Sequence, residues 1–516
     1  MSEYGFWNLA QHDPAHVALV DPEGRRLTAG ELLAEANRLV HGLRAVGLQQ
    51  GDRVAAVLPN GAPMVALYLA AAQAGWYLVP INHHLTATEI AYIVQDAEAK
   101  AFFGAERFAD ACRGAAEEFE FPAPARIALG RVPGFRSYAE LIAKQPDTLP
   151  SDRVAGQVMN YTSGTTGRPK GVRRALAPYD PDAVFSMMAM FLAMFGIPGG
   201  GDEVHLTGSP LYHTAVLMFA GSSLHYGHTV VLMDKWTPES CLDAIQRYGV
   251  TTTHMVPTQF HRLLALPEEV KRRYDVSSLR HVIHAAAPCP IDVKRRMLDW
   301  WGPVIYEYYA ASEGGGTLVT PEEWLTYPGT VGRAWPSSAI RILDDAGNDC
   351  PTGQPGIVYM SLAAADFEYH KDKEKTQSNR RNGFFTVGDV GYLNAEGYLF
   401  LCDRKTDMII SGGVNIYPAE VESVLLTHPK VADAAVFGIP HEDWGEEVKA
   451  VIEPAPGMEA SPALAQEILD FCIERVAKYK CPKSIDFIAA MPRDPNGKLY
   501  KRKLRDPYWQ GRERAI

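Results

Sequence analysis

The chain has 516 residues, 47% hydrophobic and 22% charged, too long for one small module and too apolar for a disordered chain. At about 150 residues per domain it has room for roughly three compact units. Its 50 Lys+Arg against 61 Asp+Glu leave a net charge of −11, which opposes non-specific nucleic-acid binding and excludes that class of partner.

The opening MSEYGFWNLAQHDP carries an acid where a secretory leader needs a basic region, so no export is expected. From Leu27 to Ala105 helical and strand-like stretches alternate. TAGELLAEANRLVHGLRAVG has apolar residues at helical spacing, DRVAAVLP reads as a buried strand, MVALYLAAAQAG as helix and WYLVPI as strand. The alternation predicts a parallel sheet covered by helices. The run Ala183 to Pro198, AVFSMMAMFLAMFGIP, falls short of the roughly 18 to 20 residues that a membrane span needs and is expected to be a buried helix. The α/β pattern returns between Val204 and Pro257.

After Gly329 short β-rich pieces with Asp-Asp-Ala-Gly and Asn-Ala-Glu-Gly turns predict a small antiparallel sheet or barrel. Beyond Thr406 a separate α+β unit begins, with AEVESVLLTHP and ALAQEILDFCIERVAKY helical and VADAAVFGIP and EEVKAVIEP as strands. The predicted division is a large α/β domain over 1–404 and a smaller α+β domain over 405–516. The closing KRKLR is expected to be a solvated tail. Seven cysteines are scattered without a C-x-x-C pair, which predicts reduced thiols in a cytoplasmic protein.

The segment with most chemistry is YTSGTTGRPKGV, Tyr161 to Val172. Its glycines let backbone N–H groups approach an anion, Thr162, Ser163, Thr165 and Thr166 add hydroxyl donors, and Lys170 adds charge, as a polyphosphate requires. A Walker A loop would need Gly-Lys-Ser/Thr, whereas Lys170 stands between Pro169 and Gly171.

This string resembles the phosphate loop of the adenylate-forming superfamily of acyl-CoA synthetases, luciferases and peptide-synthetase adenylation domains, and the later motifs follow in the same order. PLYHTAV resembles the segment whose histidine lies beside the substrate carboxylate, here His213. HAAAPCP, with Ala285, Ala286, Ala287 and Pro288, resembles the turn on which adenine lies. Tyr309-Ala310-Ala311-Ser312-Glu313 resembles the Tyr-Gly-x-Thr-Glu motif, with Ala310 for Gly and Ser312 for Thr. Asp389 matches the ribose-binding aspartate, Arg404 its assisting arginine, and Lys498 the mobile catalytic lysine.

The resemblance implies an ATP-dependent acid:CoA ligase of a hydrophobic carboxylic acid. Thr162, Ser163, Gly164, Thr165, Thr166, Gly167 and Lys170 would hold phosphates. Ala286, Ala287, Pro288, Tyr308, Tyr309, Asp389 and Arg404 would hold the nucleoside. Glu313 would hold Mg²⁺, and Ser312 and Lys498 the reacting phosphate. Tyr212, His213, Val216, Met255, Val256, Ala285 and Tyr308 would line an apolar acyl pocket suited to a fatty, aryl or polycyclic acid. Gly412, Gly413, Trp444, Tyr479 and Lys480 would meet coenzyme A, and Thr406, in place of the usual Asp or Lys, would be the hinge. His84 and Cys481 stand where some relatives bind CoA phosphates through arginines, leaving Lys478, Lys480 or Lys483 to compensate. A carrier-protein thiol is the alternative acceptor. The sequence leaves oligomeric state open, a homodimer included.

Overall fold

The structure is a computed structural model and describes residues 4–162, 169–336, 338–362, 366–493, 497 and 499–511. Its architecture is mixed α/β, and the chain divides into two compact units. One comprises Met1–Met255, Leu266–Ile283 and Ala365–Ser378, the other Val256–Ala265, His284–Ala364 and Asn379–Ile516.

The first unit holds the predicted parallel strands. Arg53–Ala56 lies between Tyr77–Pro80 and Ala101–Ala105, and Arg126–Leu129, Arg136–Ser137 and Gln157–Val158 extend a six-stranded all-parallel sheet. A second set runs Thr252–Met255, Val204–Thr207, Thr229–Leu232, Val17–Val20, all parallel, with Arg26–Thr28 antiparallel beside the last. Helix Ala29–Ala45 starts where Thr28 and Glu31 close a capping box, which satisfies backbone donors that a helix start leaves open. Its apolar stripe joins helix Ala62–Gln73, buried along nearly its whole length, in one core.

The run Ala183 to Pro198 differs from expectation. It forms helix Pro181–Ala189 and a 3₁₀ stretch Met190–Phe195, stopped by left-handed Gly196. Phe185, Ala189, Leu192 and Phe195 are buried as expected, but Met187 and Met190 are 74% and 60% exposed. Helical geometry gives the run two sides, and this short element buries only one. Among the described residues no helix is long and apolar enough to cross a membrane.

In the second unit Ile305–Ala311 and Gly314–Val319 form an antiparallel hairpin. The predicted small β region is an antiparallel sheet built on Gly356–Leu362, which pairs with Ser338–Leu343, Phe384–Phe385 and Asp389–Leu393; Leu399–Arg404 follows. Toward the C-terminus Val431–His441 and Gly445–Pro454 make a long hairpin, with Ile409–Ser411, Val414–Ile416 and Ser484–Phe487 completing the sheet. Helices Pro418–Leu425 and Pro462–Ile473 cover it through Val421, Leu425, Leu464, Ile468 and Cys472. The second helix ends at Ile473, six residues before Tyr479, where its predicted stretch ended.

KRKLR is not a solvated tail. It is helix Lys501–Arg505, with Lys501 paired to Glu422 at 2.8 Å and Arg505 to Asp407 at 3.5 Å. The carboxylates on the facing elements draw these basic residues inward, so a charge run alone misreads them.

Candidate active site

In the first unit Asn160–Thr162 and Lys170–Arg173 pair antiparallel, with Thr162 opposite Lys170. Thr162 and Lys170, the two ends of the phosphate-loop candidate, are therefore fixed to each other. Ser163, Gly164, Thr165, Thr166 and Gly167 lie outside the described residues. The hairpin is anchored on three sides. Tyr161 donates to Asp96 at 2.7 Å, Tyr92 donates to the Pro169 carbonyl at 3.2 Å, and His370 donates its backbone N–H to Gly171. Lys170 makes an ion pair with Asp372, a partner the sequence did not reveal because it lies 202 residues away.

His213 stands at the cap of helix Thr214–His225, its ring 4.3 Å from that of Tyr212. Tyr212 is in turn edge-on to His83 at 5.1 Å, and His83 stacks on Phe108 at 4.5 Å. Burial, with His84 and Arg107 nearby, lowers His83 to about 4, so this ring is neutral near neutral pH. His83 and Phe108 were not anticipated. His213, Tyr212, Val216 and Met255 belong to the first unit, Val256, Ala285 and Tyr308 to the second.

The second unit assembles a polar cluster from three strand ends. Tyr309 donates to Asp389 Oδ2 at 2.6 Å, and Arg404 Nε lies 3.5 Å from Asp389 Oδ1. Strand pairing sets this directly, since Asp389 is opposite Arg404 in the ladder. Burial and then Asp389 hold the Tyr309 hydroxyl well above its ordinary pKa, so it remains a donor. Ser312 and Glu313 form the turn of the hairpin that carries Tyr309, and Glu313 is 6% exposed. Its charge is felt at Tyr309. Among the described residues no cluster of three metal-ligating side chains occurs. A single hard carboxylate suits a cation that takes its other ligands from phosphate oxygens and water.

Ala285 is buried at the turn that follows strand His281–His284, and Ala286 has φ +75°. A left-handed alanine costs about 1–2 kcal/mol, strain of the kind found at functional turns. The second unit also holds a buried ion cluster that sequence reasoning missed. Lys294 Nζ is 2.7 Å from Glu307, His284 Nε2 is 3.4 Å from the same oxygen, and Lys294 stands 4.8 Å over the Trp324 ring. Burial alone would raise Glu307, but Lys294 and His284 bring it down to about 2. Glu307 and Tyr309 are two residues apart on one strand and so share a face. A glutamate inside the apolar strand IYEYYAA was the available signal that a buried cation must face it.

A family model described as AMP-binding enzyme matches residues 6–364, and one described as AMP-binding enzyme C-terminal domain matches 420–498. The chain belongs to the AMP-binding enzyme family. It is 33% identical to the fatty acid–[acyl-carrier-protein] ligase ScoC of Streptomyces coeruleorubidus, over 98% of this chain and 96% of that protein. It is also 33% identical to the long-chain-fatty-acid–CoA ligase FadD13 of Mycobacterium tuberculosis, over 97% and 98%. Among solved structures, the amide bond synthetase McbA of Marinactinospora thermotolerans matches with TM-score 0.82 and 27% identity, covering 98% of this chain and 99% of that one.

In this AMP-binding enzyme Gly412, Gly413 and Trp444 lie in turns of the C-terminal sheet, and Tyr479 and Lys480 in a turn beyond helix Pro462–Ile473. Gly412 and Gly413 form a two-residue hairpin turn with φ +57° and +78°, a conformation that favours glycine in its own right. Gly412 donates to the Trp444 carbonyl at 2.9 Å. Trp444 is 46% exposed, stacks on His441 at 4.7 Å and has Lys483 Nζ 5.6 Å from its ring. Tyr479 is exposed, whereas Lys480 is held by both oxygens of Glu420 at 2.7 and 2.8 Å. Cys481 is buried in the C-terminal core, and His84 is exposed in the first unit. Thr406 accepts from Arg505 at 3.3 Å through its carbonyl. Lys498 lies outside the described residues; Gly497 and Leu499 beside it are described.

Proposed function

We propose that the chain activates a hydrophobic carboxylic acid as its acyl-adenylate and passes the acyl group to the thiol of coenzyme A. The observation that carries this reading is the Tyr309–Asp389–Arg404 cluster beside Glu313. A carboxylate with its orientation fixed by a tyrosine and an arginine can accept the two hydroxyls of a ribose. The neighbouring Glu313 would hold a cation that neutralises charge on the phosphates. Full-length similarity to a long-chain-fatty-acid–CoA ligase supports the same reading.

In the first step an oxygen of the acid attacks the α-phosphorus of ATP and pyrophosphate leaves. Two anions must approach in line, so the protein's task is alignment and charge neutralisation. The segment from Thr162 to Lys170 holds the outer phosphates, and Lys170 exchanges Asp372 for them. Ser312 and Lys498 hold the reacting phosphate, and His213 lies beside the acid. Glu313 would hold Mg²⁺, which supplies further neutralisation of the phosphate oxygens. The adenine lies along Ala286, Ala287, Pro288 and Tyr308. Tyr212, Val216, Met255, Val256 and Ala285 supply apolar walls that favour a fatty, aryl or polycyclic acid.

In the second step the thiol attacks the acyl carbon and AMP departs. Rotation of residues 405–516 about Thr406 withdraws Lys498 and presents Gly412, Gly413 and Trp444. Trp444 offers a stacking face to an adenine, and Lys483 a charge for its phosphates. Tyr479 would border the nucleotide end of coenzyme A, and Lys480 would join it on release from Glu420. A second reading, transfer to a carrier-protein thiol, is favoured by the likeness to ScoC.

The test is acid-dependent pyrophosphate release across octanoate, dodecanoate, hexadecanoate, benzoate and cinnamate, followed by thioester formation with free CoA or a phosphopantetheinylated carrier protein. Pyrophosphate release and a CoA thioester are expected. Release of ADP and phosphate, or no acid dependence, contradicts the proposal, and a thioester on the carrier protein alone selects the second reading.

A further inference from the structure

Gly497, the residue before Lys498, is tied to the C-terminal sheet through the side chain of Arg493. Arg493 donates Nε to Asp433 Oδ2 at 2.5 Å and Nη2 to Asp433 Oδ1 at 2.7 Å. Its remaining amino group, Nη1, donates to the Gly497 carbonyl at 2.6 Å. Both partners of the pair are mostly buried, with side-chain exposures of 18% and 15%. Asp433 is itself fixed in strand Val431–His441 and accepts from the Ala434 N–H at 2.8 Å. Burial works against the Arg493 charge, yet Asp433, Glu422 and Glu453 more than restore it. Arg493 and Leu499 form an antiparallel bridge, and the Tyr500 N–H donates to the Pro492 carbonyl at 2.8 Å.

Gly497 also lies against the start of helix Pro257–Leu264. Gly497 has φ +78°, and a Cβ there would lie 2.4 Å from Thr258 Oγ1 and 3.5 Å from Val256 Cγ2, so only glycine lets the backbone come this close. One turn further along, His261 hydrogen-bonds the Ala432 backbone beside Asp433. The guanidinium thus joins the strand to the carbonyl immediately before Lys498.

We propose that Arg493, locked by Asp433, is the positioning residue for Lys498. The Gly497 carbonyl and the Lys498 N–H belong to one planar peptide unit. Holding that carbonyl holds the peptide plane through which the chain enters Lys498. A lysine side chain is a flexible four-carbon stem, and a fixed backbone at its root is the part of catalysis that Arg493 supplies without touching the substrate. This inference rests on the proposed role of Lys498 in adenylation.

The experiment compares Lys498→Ala, Arg493→Gln, Arg493→Lys and Asp433→Asn in the full chain. It measures ATP–pyrophosphate exchange with whichever acid of the panel above releases most pyrophosphate, and separately thioester formation from that acid's synthetic adenylate and CoA. Arg493→Gln is expected to lower kcat of exchange roughly 100-fold, the scale of a small misplacement of a reacting group, while KM for ATP stays within about twofold. Thioester formation is expected to be unchanged. Arg493→Lys, which keeps the charge without the fork, and Asp433→Asn should fall between Arg493→Gln and the parent chain. If Arg493→Gln does not fold, Asp433→Asn decides, with the same split between the half-reactions. Exchange at the parent rate, or equal loss of both half-reactions, overturns the proposal. If Lys498→Ala keeps full exchange, the reading of Lys498 fails and takes this inference with it; if Lys498→Ala is inactive and Arg493→Gln is not, only the inference fails.

Discussion

Replacing Asp389 by Asn changes one atom of the proposed ribose grip and preserves its shape. In the parent chain Oδ2 accepts from Tyr309 at 2.6 Å while Oδ1 faces Arg404 Nε at 3.5 Å, and the side chain is 13% exposed. Asparagine keeps one acceptor, which Tyr309 can still use, and presents an amide donor where the other oxygen stood. A ribose hydroxyl then loses a charge-assisted hydrogen bond of about 1.5–3 kcal/mol. At about 1.4 kcal/mol per decade, this is a roughly tenfold to 150-fold fall in kcat/KM for ATP. The assay is initial-rate pyrophosphate release at varied ATP and saturating acid, with a thermal melt of each protein to show that the fold is kept. Because the ribose is held in ground and transition states alike, KM should carry most of the change. A kcat/KM for ATP equal to that of the parent would refute the assignment of Asp389 to the nucleoside.

Three other predictions concern charge. Lys170 is held by Asp372 in a pair of which each side chain is about a quarter exposed, and a phosphate must displace that carboxylate, so Asp372→Asn should lower KM for ATP by the roughly 1.5- to fivefold that a surface-type pair is worth; a raised KM would show that Asp372 helps the nucleotide. Lys294→Met should destabilise the chain by about 3–5 kcal/mol by leaving buried Glu307 with His284 as its remaining partner in the cluster, and adding Glu307→Gln should recover most of the loss in denaturant unfolding; additive losses would contradict the pairing. Buried His205 and His225 are lowered to about 3 by desolvation. The unfolded chain therefore binds their protons near 6.5 when the folded chain does not, and stability falls as pH drops below that value. Each ring contributes roughly 2 kcal/mol of loss at about pH 5, to be read as a lower urea midpoint than at neutral pH; equal midpoints would contradict it.

Much of the fold was legible because its signals are local. The helix Ala29–Ala45 announces itself by Thr28 and Glu31 three apart before a periodic apolar face, and the parallel strands by short apolar runs between helices. The cluster of Tyr309, Asp389 and Arg404 was legible only through motif resemblance, since 80 residues separate the first two. What stayed hidden is pairing between distant polar residues. Lys294 reads as an ordinary charge on helix Ile291–Trp301 until Glu307 faces it. Arg493 and Asp433 lie 60 residues apart, and KRKLR looks solvated until Glu422 and Asp407 draw in two of its residues. The Met-rich run misled in the opposite direction, because hydropathy gives the total apolar content of a helix and not how many sides are covered.

The most direct test follows one oxygen atom. With the acid's carboxylate labelled in both oxygens with heavy oxygen, attack on the α-phosphorus leaves one labelled oxygen in AMP once the thiol has taken the acyl group. The account predicts labelled AMP and unlabelled pyrophosphate by mass spectrometry. Label in inorganic phosphate with formation of ADP, or AMP that carries none, would contradict it.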